Sequence, residues 1–334
     1  MSKTNRQCRL AQRPAGLPTD DIWSFTDEAV AKAGDGEVLL EVLYASIDPA
    51  MRGWINDVRS YIPPVGIGEV MRAGTLSRIV ESNHPGFAVG DHVVGMNGIQ
   101  QYAIADGKGL TRVDPDLAPL PRYLGALGMT GMTAYFGLLE VGQPKAGETV
   151  LVSGAAGAVG SIVGQIARIK GCRVVGLCGG PEKRSQLIDD LGFDGAIDYK
   201  SENVRDRVRA LCPDGIDVYF DNVGGEILDI ALSQINRGGR IPICGAISQY
   251  NNTEPGKGPA NYLSLLVNRA RMEGFIVFDY APRYAEAAAE MAGWIANGQI
   301  QAREHIVEGV DQFPEALRML FDGRNEGKLV LKIA

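Results

Sequence analysis

The glycine-spaced segment 153–160, which reads SGAAGAVG, is the part of the chain whose spacing most directly indicates a chemistry. It follows an apolar run at residues 150–152 and opens a helical pattern. Small residues in such a turn let the backbone approach a pyrophosphate, and the first N–H groups of the helix supply hydrogen bonds and a positive dipole. An ordinary tight turn is the alternative, because Ala155 stands where the common GxGxxG pattern has its first glycine. The spacing favours a dinucleotide cradle formed by Ala155, Gly157, Ala158, Val159 and Gly160.

The residues after the second strand-like run, 173–178, indicate which dinucleotide would bind. NAD sites place Asp or Glu there to hold the ribose 2′-hydroxyl, whereas NADP sites need small residues and a cation. This chain has Gly179 and Gly180, and Lys183 follows in the next helical run. A solvated lysine is the alternative, and Glu182 is interpreted as compensation for the helix dipole. The two glycines leave room for a 2′-phosphate, but for Lys183 taken alone the solvated charge is the favoured interpretation.

Three further side chains follow predicted strands at the edge where a doubly wound sheet binds its ligand. Asn222 comes after the fourth strand, and Cys244 and Tyr250 come after the fifth. We interpret Asn222 and Tyr250 as cofactor contacts. For Cys244 simple packing competes with that role, because a small cysteine at a strand end is usually buried.

The composition excludes several classes of protein. With 334 residues the chain is long enough for two domains. Its 33 basic and 40 acidic residues give a net charge of −7, which argues against nucleic acid or an anionic membrane as a partner. The first residues lack the apolar core of a signal peptide, and no apolar run approaches a membrane span. We therefore expect a cytoplasmic protein.

Five scattered cysteines and three histidines predict free thiols rather than a metal site. No two cysteines form a CxxC pair, and an odd number in a cytosolic chain argues against a disulfide framework. No cluster has the spacing of zinc ligands. We therefore predict that no metal is bound.

Strand-like and helical runs alternate from residue 149 to about residue 296. This alternation predicts a doubly wound α/β domain with a parallel six-stranded sheet. The predicted strands are residues 150–152, 173–178, 195–198, 217–220, 240–244 and 275–278. The predicted helices are residues 158–170, 181–191, 204–211, 226–235 and 282–297.

The regions on either side do not follow this alternation. In the first part, glycine and proline separate short strand-like runs, which indicates a compact β-rich domain. These runs include residues 37–45, 77–82 and 92–95. After the last predicted helix come runs at residues 304–307, 313–321 and 328–333. We predict a first domain at residues 1–123, a dinucleotide-binding domain at 124–299, and a return of 300–334 to the first domain.

Several motifs in a fixed order resemble the zinc-independent medium-chain dehydrogenase/reductases over essentially the whole chain. The branch they resemble contains prostaglandin reductase, the plant alkenal double-bond reductases and bacterial curcumin reductase. The motifs are SIDPAMR at residues 46–52, GMTGMTAY at 128–135, AAGAVG at 155–160, FDNVGG at 220–225, ICGAIS at 243–248, RMEGF at 271–275 and GKLV at 327–330. YIPPVG at 61–66 and VNRAR at 267–271 are most similar to curcumin reductase.

The resemblance implies a GroES-like β-rich catalytic domain, a doubly wound Rossmann domain with a parallel six-stranded sheet, NADP(H) and a homodimer. It also implies reduction of a carbon–carbon double bond conjugated to a carbonyl, in an enone or an enal. Zinc-dependent relatives carry Gly-His-Glu and a four-cysteine lobe. In this chain Gly68 and Glu69 follow Ile67 without a histidine, and the cysteine lobe is missing.

The resemblance also implies roles for individual residues. The implied cofactor contacts are Lys183 and Tyr199 at the 2′-phosphate, Asn222, Cys244, Tyr250 near the nicotinamide ribose, the backbone of Phe275 and Val277 at the carboxamide, and Asn325. The implied substrate pocket includes Ala50, Tyr61 and Val267. Two of these depart from the family: Ala50 and Val267 stand where many relatives have tyrosines, so the tyrosine mechanism proposed for those relatives does not transfer.

The implied chemistry is hydride transfer to the β-carbon of the enone, with a hydrogen-bond donor at the carbonyl oxygen lowering the barrier. The donor candidates in this chain are Tyr250, the ribose hydroxyl that Tyr250 would orient, Tyr61 and Tyr262. Two other functions stay open: an NADPH quinone reductase, and a non-catalytic NADPH-binding sensor.

Overall fold

The computed structural model describes residues 3–254 and 256–334 and separates into two compact units. Unit 1 comprises Met1–Gly125 and Glu304–Ala334, and unit 2 comprises Ala126–Arg303. The chain therefore builds unit 2 without interruption and then returns to unit 1 with its last residues.

Strands and α-helices are numbered separately along the chain. The strands are β1 (Thr4–Leu10), β2 (Trp23–Ala29), β3 (Val38–Ser46), β4 (Thr75–Ser82), β5 (His92–Gly95), β6 (Tyr102–Ala105), β7 (Thr111–Val113), β8 (Thr149–Val152), β9 (Arg173–Cys178), β10 (Gly195–Asp198), β11 (Ile216–Phe220), β12 (Ile235–Ile243), β13 (Arg271–Gly274), β14 (Glu304–Glu308) and β15 (Lys328–Lys332). The α-helices are α1 (Met51–Trp54), α2 (Met129–Phe136), α3 (Gly160–Ile169), α4 (Pro181–Ser185), α5 (Val204–Leu211), α6 (Gly225–Leu232), α7 (Leu263–Asn268), α8 (Tyr284–Ala296) and α9 (Phe313–Asp322).

Unit 2 is built on a parallel sheet with the strand order β10-β9-β8-β11-β12-β13. Numbered along the chain this order is 3-2-1-4-5-6, so the direction of strand addition reverses between β8 and β11. Every residue of β8 and β10 is buried, as expected for parallel strands covered by helices on both faces. The predicted doubly wound domain with a six-stranded parallel sheet is confirmed.

Unit 1 is β-rich, as expected. β1 and β2 form a two-stranded sheet, and a larger sheet has the order β14-β15-β3-β4-β5-β7, with β6 also pairing with β3. The C-terminal segment supplies β14, β15 and α9. The apolar side of α9 enters the core through Phe313, Ala316 and Leu317. The Phe313 ring meets Trp23 edge-on at 5.0 Å between centroids.

Three predicted elements of unit 2 are wrong in position. The sixth strand is β13 and not 275–278, because its residues are all exposed and lack the apolar run that marked the inner strands. The apolar run that follows it leads into a 3₁₀ segment, Val277–Arg283, which delays the start of α8. The helix predicted at 226–235 ends at Leu232, because Ile235 already belongs to β12.

A buried ion pair joins β15 to the segment before α1. Lys328 Nζ lies 2.7 Å from Asp48 Oδ1 and donates to the carbonyl oxygen of Ile47 at 3.0 Å, and both charged side chains are buried. The hydroxyl of Ser46 donates to the other carboxylate oxygen of Asp48. Removing one partner of such a pair is costly, because the remaining charge stays buried without its counter-ion.

We expect Lys328→Met to lower the thermal midpoint by roughly 6–12 °C, from a loss of about 3 kcal/mol. Lys332→Met is the matched control on the same strand, because Lys332 pairs with Glu308 at the surface. Surface pairs contribute about 1 kcal/mol or less, so the control shifts little. Equal shifts in the two variants, measured by differential scanning calorimetry, would contradict the stabilising role of the buried pair.

Candidate functional site

The turn between β8 and α3 has the geometry of an anion cradle. Gly154 adopts φ +58°, and an ideal Cβ at Gly160 would lie 2.8 Å from Ala155 Cα and closer still to the carbonyl oxygen of Gly154. No side chain caps α3 at Val159, and its first turn carries no acidic residue. The first N–H groups of the helix are therefore not engaged by a capping side chain, as an anion-binding helix start requires.

Ala155 is the residue by which this turn is tied to the neighbouring strand β9. It is fully buried, and its N–H donates to the carbonyl oxygen of Leu177 in β9 at 2.9 Å. Gly157, Ala158 and Val159 are only partly buried. Ala155 thus ties the turn to the sheet through its own N–H, and its role as a cofactor contact stays a prediction.

The ends of β9 and β10 bring Gly179, Gly180 and Tyr199 together. The Gly180 N–H donates to Asp198 Oδ1 at 2.8 Å, with φ +109° at Gly180. An ideal Cβ on Gly179 would lie 2.8 Å from Tyr199 Oη, so a larger residue would displace the phenol. Lys183 lies on α4, which begins directly after this turn. The phosphate subsite at Lys183 and Tyr199 stays a prediction.

Asp198 orders this turn, although the sequence patterns do not single it out. It accepts the Ser201 hydroxyl at 2.7 Å and the backbone N–H groups of Gly180 and Lys200. These hydrogen bonds, Ser201 first, hold the pKa of the Asp198 carboxyl below its usual value of 3.8. The carboxylate is therefore ionised at neutral pH and accepts the Gly180 N–H.

A second buried carboxylate, Asp221, stands where the sheet reverses its order. Its Oδ1 accepts the Ser153 hydroxyl at 3.1 Å, the Tyr219 hydroxyl at 2.7 Å, and the N–H groups of Val223 and Gly224 at 3.0 and 2.8 Å. Burial, reinforced by the Asp221 charge, raises the pKa of Tyr219 well above its usual value. Tyr219 therefore remains a hydrogen-bond donor at any physiological pH.

The sequence marks Asp221 by its position, although Asp221 is not among the predicted ligand contacts. Asp221 follows a buried strand directly, in the FDN stretch before Asn222, and a carboxylate at a buried strand end must find donors. Its carbonyl oxygen also accepts the N–H groups of Cys244 at 2.9 Å and Gly245 at 3.1 Å. Asp221 therefore ties together the ends of β11 and β12.

Asn222 and Tyr250 meet at this same edge of unit 2. The Asn222 side-chain amide donates to the Ser153 carbonyl oxygen at 2.7 Å. Tyr250 Oη accepts the Ala246 N–H at 3.2 Å, and a Cβ placed on Gly245 would be 2.8 Å from Tyr250 Oη and 3.5 Å from the Asn222 carbonyl oxygen. The structure thus brings these two predicted contacts together.

The comparisons with known proteins agree with this architecture. Residues 6–113 match the family described as the N-terminal domain of oxidoreductase, and residues 158–293 match the family described as zinc-binding dehydrogenase. The NADPH-dependent curcumin reductase of Escherichia coli (strain K12) is 44% identical over 335 residues, which are 99% of this chain and 97% of that protein. The chain belongs to the medium-chain dehydrogenase/reductase family.

Two further members of the family are similar over most of their length. Prostaglandin reductase 1 of Mus musculus is 42% identical over 323 residues, which are 95% of each chain. The crystal structure of CurA from Vibrio vulnificus in complex with NADPH has a TM-score of 0.95 and 45% identity, over 98% of this chain and 99% of that one. Both the sequence and the fold thus place this chain within the medium-chain dehydrogenase/reductases.

The part of the chain that the structure describes contains no ligand set for the zinc that zinc-dependent relatives bind. Within residues 3–254 and 256–334, no group of three or more His, Cys, Asp or Glu side chains is placed to hold a metal ion. Burial raises the pKa of the Cys244 thiol to about 12, so this thiol is protonated at neutral pH.

The remaining predicted cofactor contacts of unit 2 are Phe275 and Val277, whose side chains pack in the core. The Phe275 ring meets Phe220 at 6.2 Å between centroids, and Val277 is buried. The Val277 carbonyl oxygen accepts the Tyr284 hydroxyl at 3.0 Å. Any cofactor contact would therefore be made by the remaining backbone groups of this segment.

Tyr262 and Val267 lie at the surface of unit 2. Tyr262 precedes α7 at its N-terminus and Val267 lies within that helix, with 58% and 65% of their surfaces exposed. Their roles in the reaction stay predictions.

Ala50, Tyr61 and Asn325 belong to unit 1. Ala50 precedes α1, and the half-exposed Tyr61 accepts a hydrogen bond from Trp54 Nε1 at 2.9 Å. The Asn325 amide donates to the Gly327 carbonyl oxygen at 3.0 Å, within the turn before β15. Their roles toward substrate and cofactor stay predictions.

We expect Gly160→Ala to weaken NADPH binding by about tenfold or more, because the new Cβ would push the turn against its own backbone. Gly293→Ala is the control, since a Cβ there meets nothing within 4 Å in α8 and alanine favours a helix. Fluorescence titration with NADPH measures both. Wild-type affinity in Gly160→Ala would show that the turn does not hold the cofactor as we describe.

Proposed function

We propose that this protein uses NADPH to reduce the carbon–carbon double bond of α,β-unsaturated ketones and aldehydes. The observation that carries the proposal is similarity over the whole chain to an NADPH-dependent curcumin reductase and a prostaglandin reductase. The cofactor assignment is supported by the CurA complex with NADPH. It is also supported by Gly179 and Gly180, which stand where an NAD enzyme would place an acidic residue, and by Lys183 on the helix that follows.

The residues of unit 2 fit a dinucleotide. The start of α3 would receive the pyrophosphate, since a larger residue than Gly160 would fill the cradle. Lys183 and Tyr199 would hold the 2′-phosphate, and Asn222 and Tyr250 would lie toward the nicotinamide end. When bound, NADPH would supply the hydride for the β-carbon, and a proton taken up at the α-carbon would complete the saturated product.

The protein's part in the reaction is to orient the substrate and stabilise negative charge at its carbonyl oxygen. We assign that role first to Tyr250, which follows the fifth strand at the ligand-facing edge of the sheet and whose oxygen accepts the Ala246 N–H. Ala50, where many relatives carry a tyrosine, would leave room for bulky aryl groups.

The substrate class is tested with an aryl enone, a short enal, a quinone and an alcohol, each with NADPH and after dialysis against a chelator. We expect the saturated ketone as the main product from the enone, and no loss of turnover on chelation. An allylic alcohol, or turnover of the quinone alone through a semiquinone, would overturn the proposal. Activity that returns only with added zinc would reveal a missed metal site.

Lys183→Ala should raise the Michaelis constant for NADPH about tenfold to a hundredfold, because a charge-assisted phosphate contact contributes about 1.5–3 kcal/mol. The constant for NADH should stay nearly unchanged, which serves as the internal control. Equal efficiency of the two cofactors in the wild-type protein would contradict the assignment of the 2′-phosphate subsite.

Tyr250→Phe should lower kcat on the order of 10²-fold at saturating NADPH, because it removes one preorganised donor while keeping the ring. Tyr262→Phe, at the surface before α7, should leave kcat near its wild-type value. The opposite result would make Tyr262 the donor. No effect in either variant would leave solvent as the proton source.

We further propose a homodimer in the cytoplasm. β13 is the edge strand of the unit 2 sheet with all its residues exposed, and α7 exposes Leu263, Leu266 and Val267. An unpaired edge beside an apolar face is suited to pairing with a second copy. The five cysteines are free thiols, as in a reducing compartment. Sedimentation equilibrium giving the monomer mass of 35.7 kDa would refute the dimer.

The remaining partner predictions are negative. No helix among the described residues is long and apolar enough to cross a membrane. The net charge of −7 gives no reason to expect nucleic acid as a partner.

A further inference from the structure

Two residues that follow β10 lie against the turn that follows β9. An ideal Cβ on Gly179 would lie 2.8 Å from Tyr199 Oη and 3.0 Å from Lys200 Cε. Both of these side chains belong to exposed residues. The end of the Lys200 side chain therefore lies beside Gly179, although the sequence patterns single out Lys183 as the cation for this turn.

Main-chain hydrogen bonds hold Lys200 next to the turn. The Tyr199 N–H donates to the carbonyl oxygen of Cys178, the last residue of β9, at 3.1 Å. The Lys200 N–H donates to Asp198 Oδ1 at 3.0 Å, and the same oxygen accepts the Gly180 N–H at 2.8 Å. One carboxylate oxygen thus links the backbone of Lys200 to the backbone of the turn.

The positive charge of Lys200 is not used in an ion pair within the part of the chain that the structure describes. The Asp198 carboxylate is occupied by other donors, namely the Ser201 hydroxyl and two backbone N–H groups. A lysine that serves only as a solvated charge extends its ammonium into water. Lys200 instead brings its Cε against Gly179, so its ammonium is available to an anion at this turn.

The position of the turn indicates which anion that would be. β9 is the second strand of a doubly wound sheet, and the end of that strand is where dinucleotide sites distinguish NAD from NADP. An acidic side chain at residue 179, as in an NAD site, would have to displace Tyr199 and Lys200. A glycine with a cation beside it suits a 2′-phosphate instead.

We propose that Lys200 is a specificity-determining residue, which selects NADPH by binding its 2′-phosphate across Gly179. The inference rests on the cofactor assignment within the proposed function. Lys200 adds to Lys183 rather than replacing it, because a phosphate offers three acceptor oxygens and each lysine is a compact charge. NADH carries a hydroxyl group in place of the phosphate and gains little from the charge.

The test compares ligands that differ only in the 2′-phosphate, namely NADPH with NADH and adenosine 2′,5′-bisphosphate with adenosine 5′-monophosphate. Lys200→Met keeps an unbranched side chain and removes the charge, whereas Lys200→Arg keeps the charge. Lys145→Met is the matched control. Lys145 is also exposed, but it lies in the turn before β8, at the opposite end of that strand from the ligand-facing edge.

In calorimetric titrations, Lys200→Met should raise the Kd for NADPH and for the bisphosphate roughly threefold to tenfold, the weaker range of a charge-assisted contact because Lys200 is exposed. The Kd for NADH and for the monophosphate should stay near the wild-type values. Lys200→Arg and Lys145→Met should match the wild type for every ligand. An unchanged Kd for NADPH in Lys200→Met, or an equal rise for NADH, would overturn the proposal.

Combining Lys200→Met with Lys183→Met tests whether the two charges act on the same group. The double variant should bind NADPH more weakly than either single variant and approach its affinity for NADH. A double variant no weaker than Lys183→Met would overturn the role of Lys200. Equal affinity of the wild-type protein for NADPH and NADH would overturn the cofactor assignment as well. The expected binding pattern in a protein that reduces no enone would support the role of Lys200 and overturn the proposed reaction, because these titrations need no turnover.

Discussion

The carboxylate of Asp221 is the interaction on which the ligand-facing edge of unit 2 depends. One oxygen of this buried group accepts two hydroxyl and two backbone donors, from Ser153, Tyr219, Val223 and Gly224. Such a group would be costly to bury unpaired, and four donors offset that cost. The backbone carbonyl oxygen of Asp221 also accepts two N–H groups at the end of β12. The point where the strand order reverses is therefore organised around this one residue.

Asp198 repeats this arrangement at the ends of β9 and β10. It accepts the Gly180 N–H and fixes the turn that precedes Lys183. In both places a buried carboxylate accepts backbone N–H groups and so fixes the conformation of a turn. Neither carboxylate has to contact a ligand to do this. In the proposed 2′-phosphate subsite, two glycines would leave space for the phosphate, and the lysine on the following helix would supply charge.

Much of unit 2 could be predicted from its sequence because the inner strands are buried on both faces. β9 stands out as an apolar run after Arg173 and has the predicted bounds. The edge strand β10 also has the predicted bounds. β13 could not be recognised in this way, since its exposed residues carry no apolar run. The apolar residues after it have the sequence character of a strand, but among them only Val277 is buried, in the core against which Phe275 packs.

Most of the interactions that position side chains cannot be predicted from local sequence patterns. Lys328 and Asp48 are 280 residues apart, so no periodicity relates them. Trp54 and Tyr61 are close in sequence, but their hydrogen bond depends on a loop closed by Arg13. The family motifs do contain Asp48, Tyr61, Asp221 and Lys328, yet a motif alone does not distinguish a ligand contact from a residue that holds the fold.

The central claim, that a hydride is delivered to the double bond of an enone, is tested most directly by following the hydride itself. NADPH labelled with deuterium at the transferable position of the nicotinamide is incubated with the protein and an aryl enone, and the product is examined by proton and deuterium NMR. We expect one deuterium at the β-carbon of a saturated ketone. Deuterium on the carbinol carbon of an allylic alcohol, or an unlabelled product, would contradict the claim.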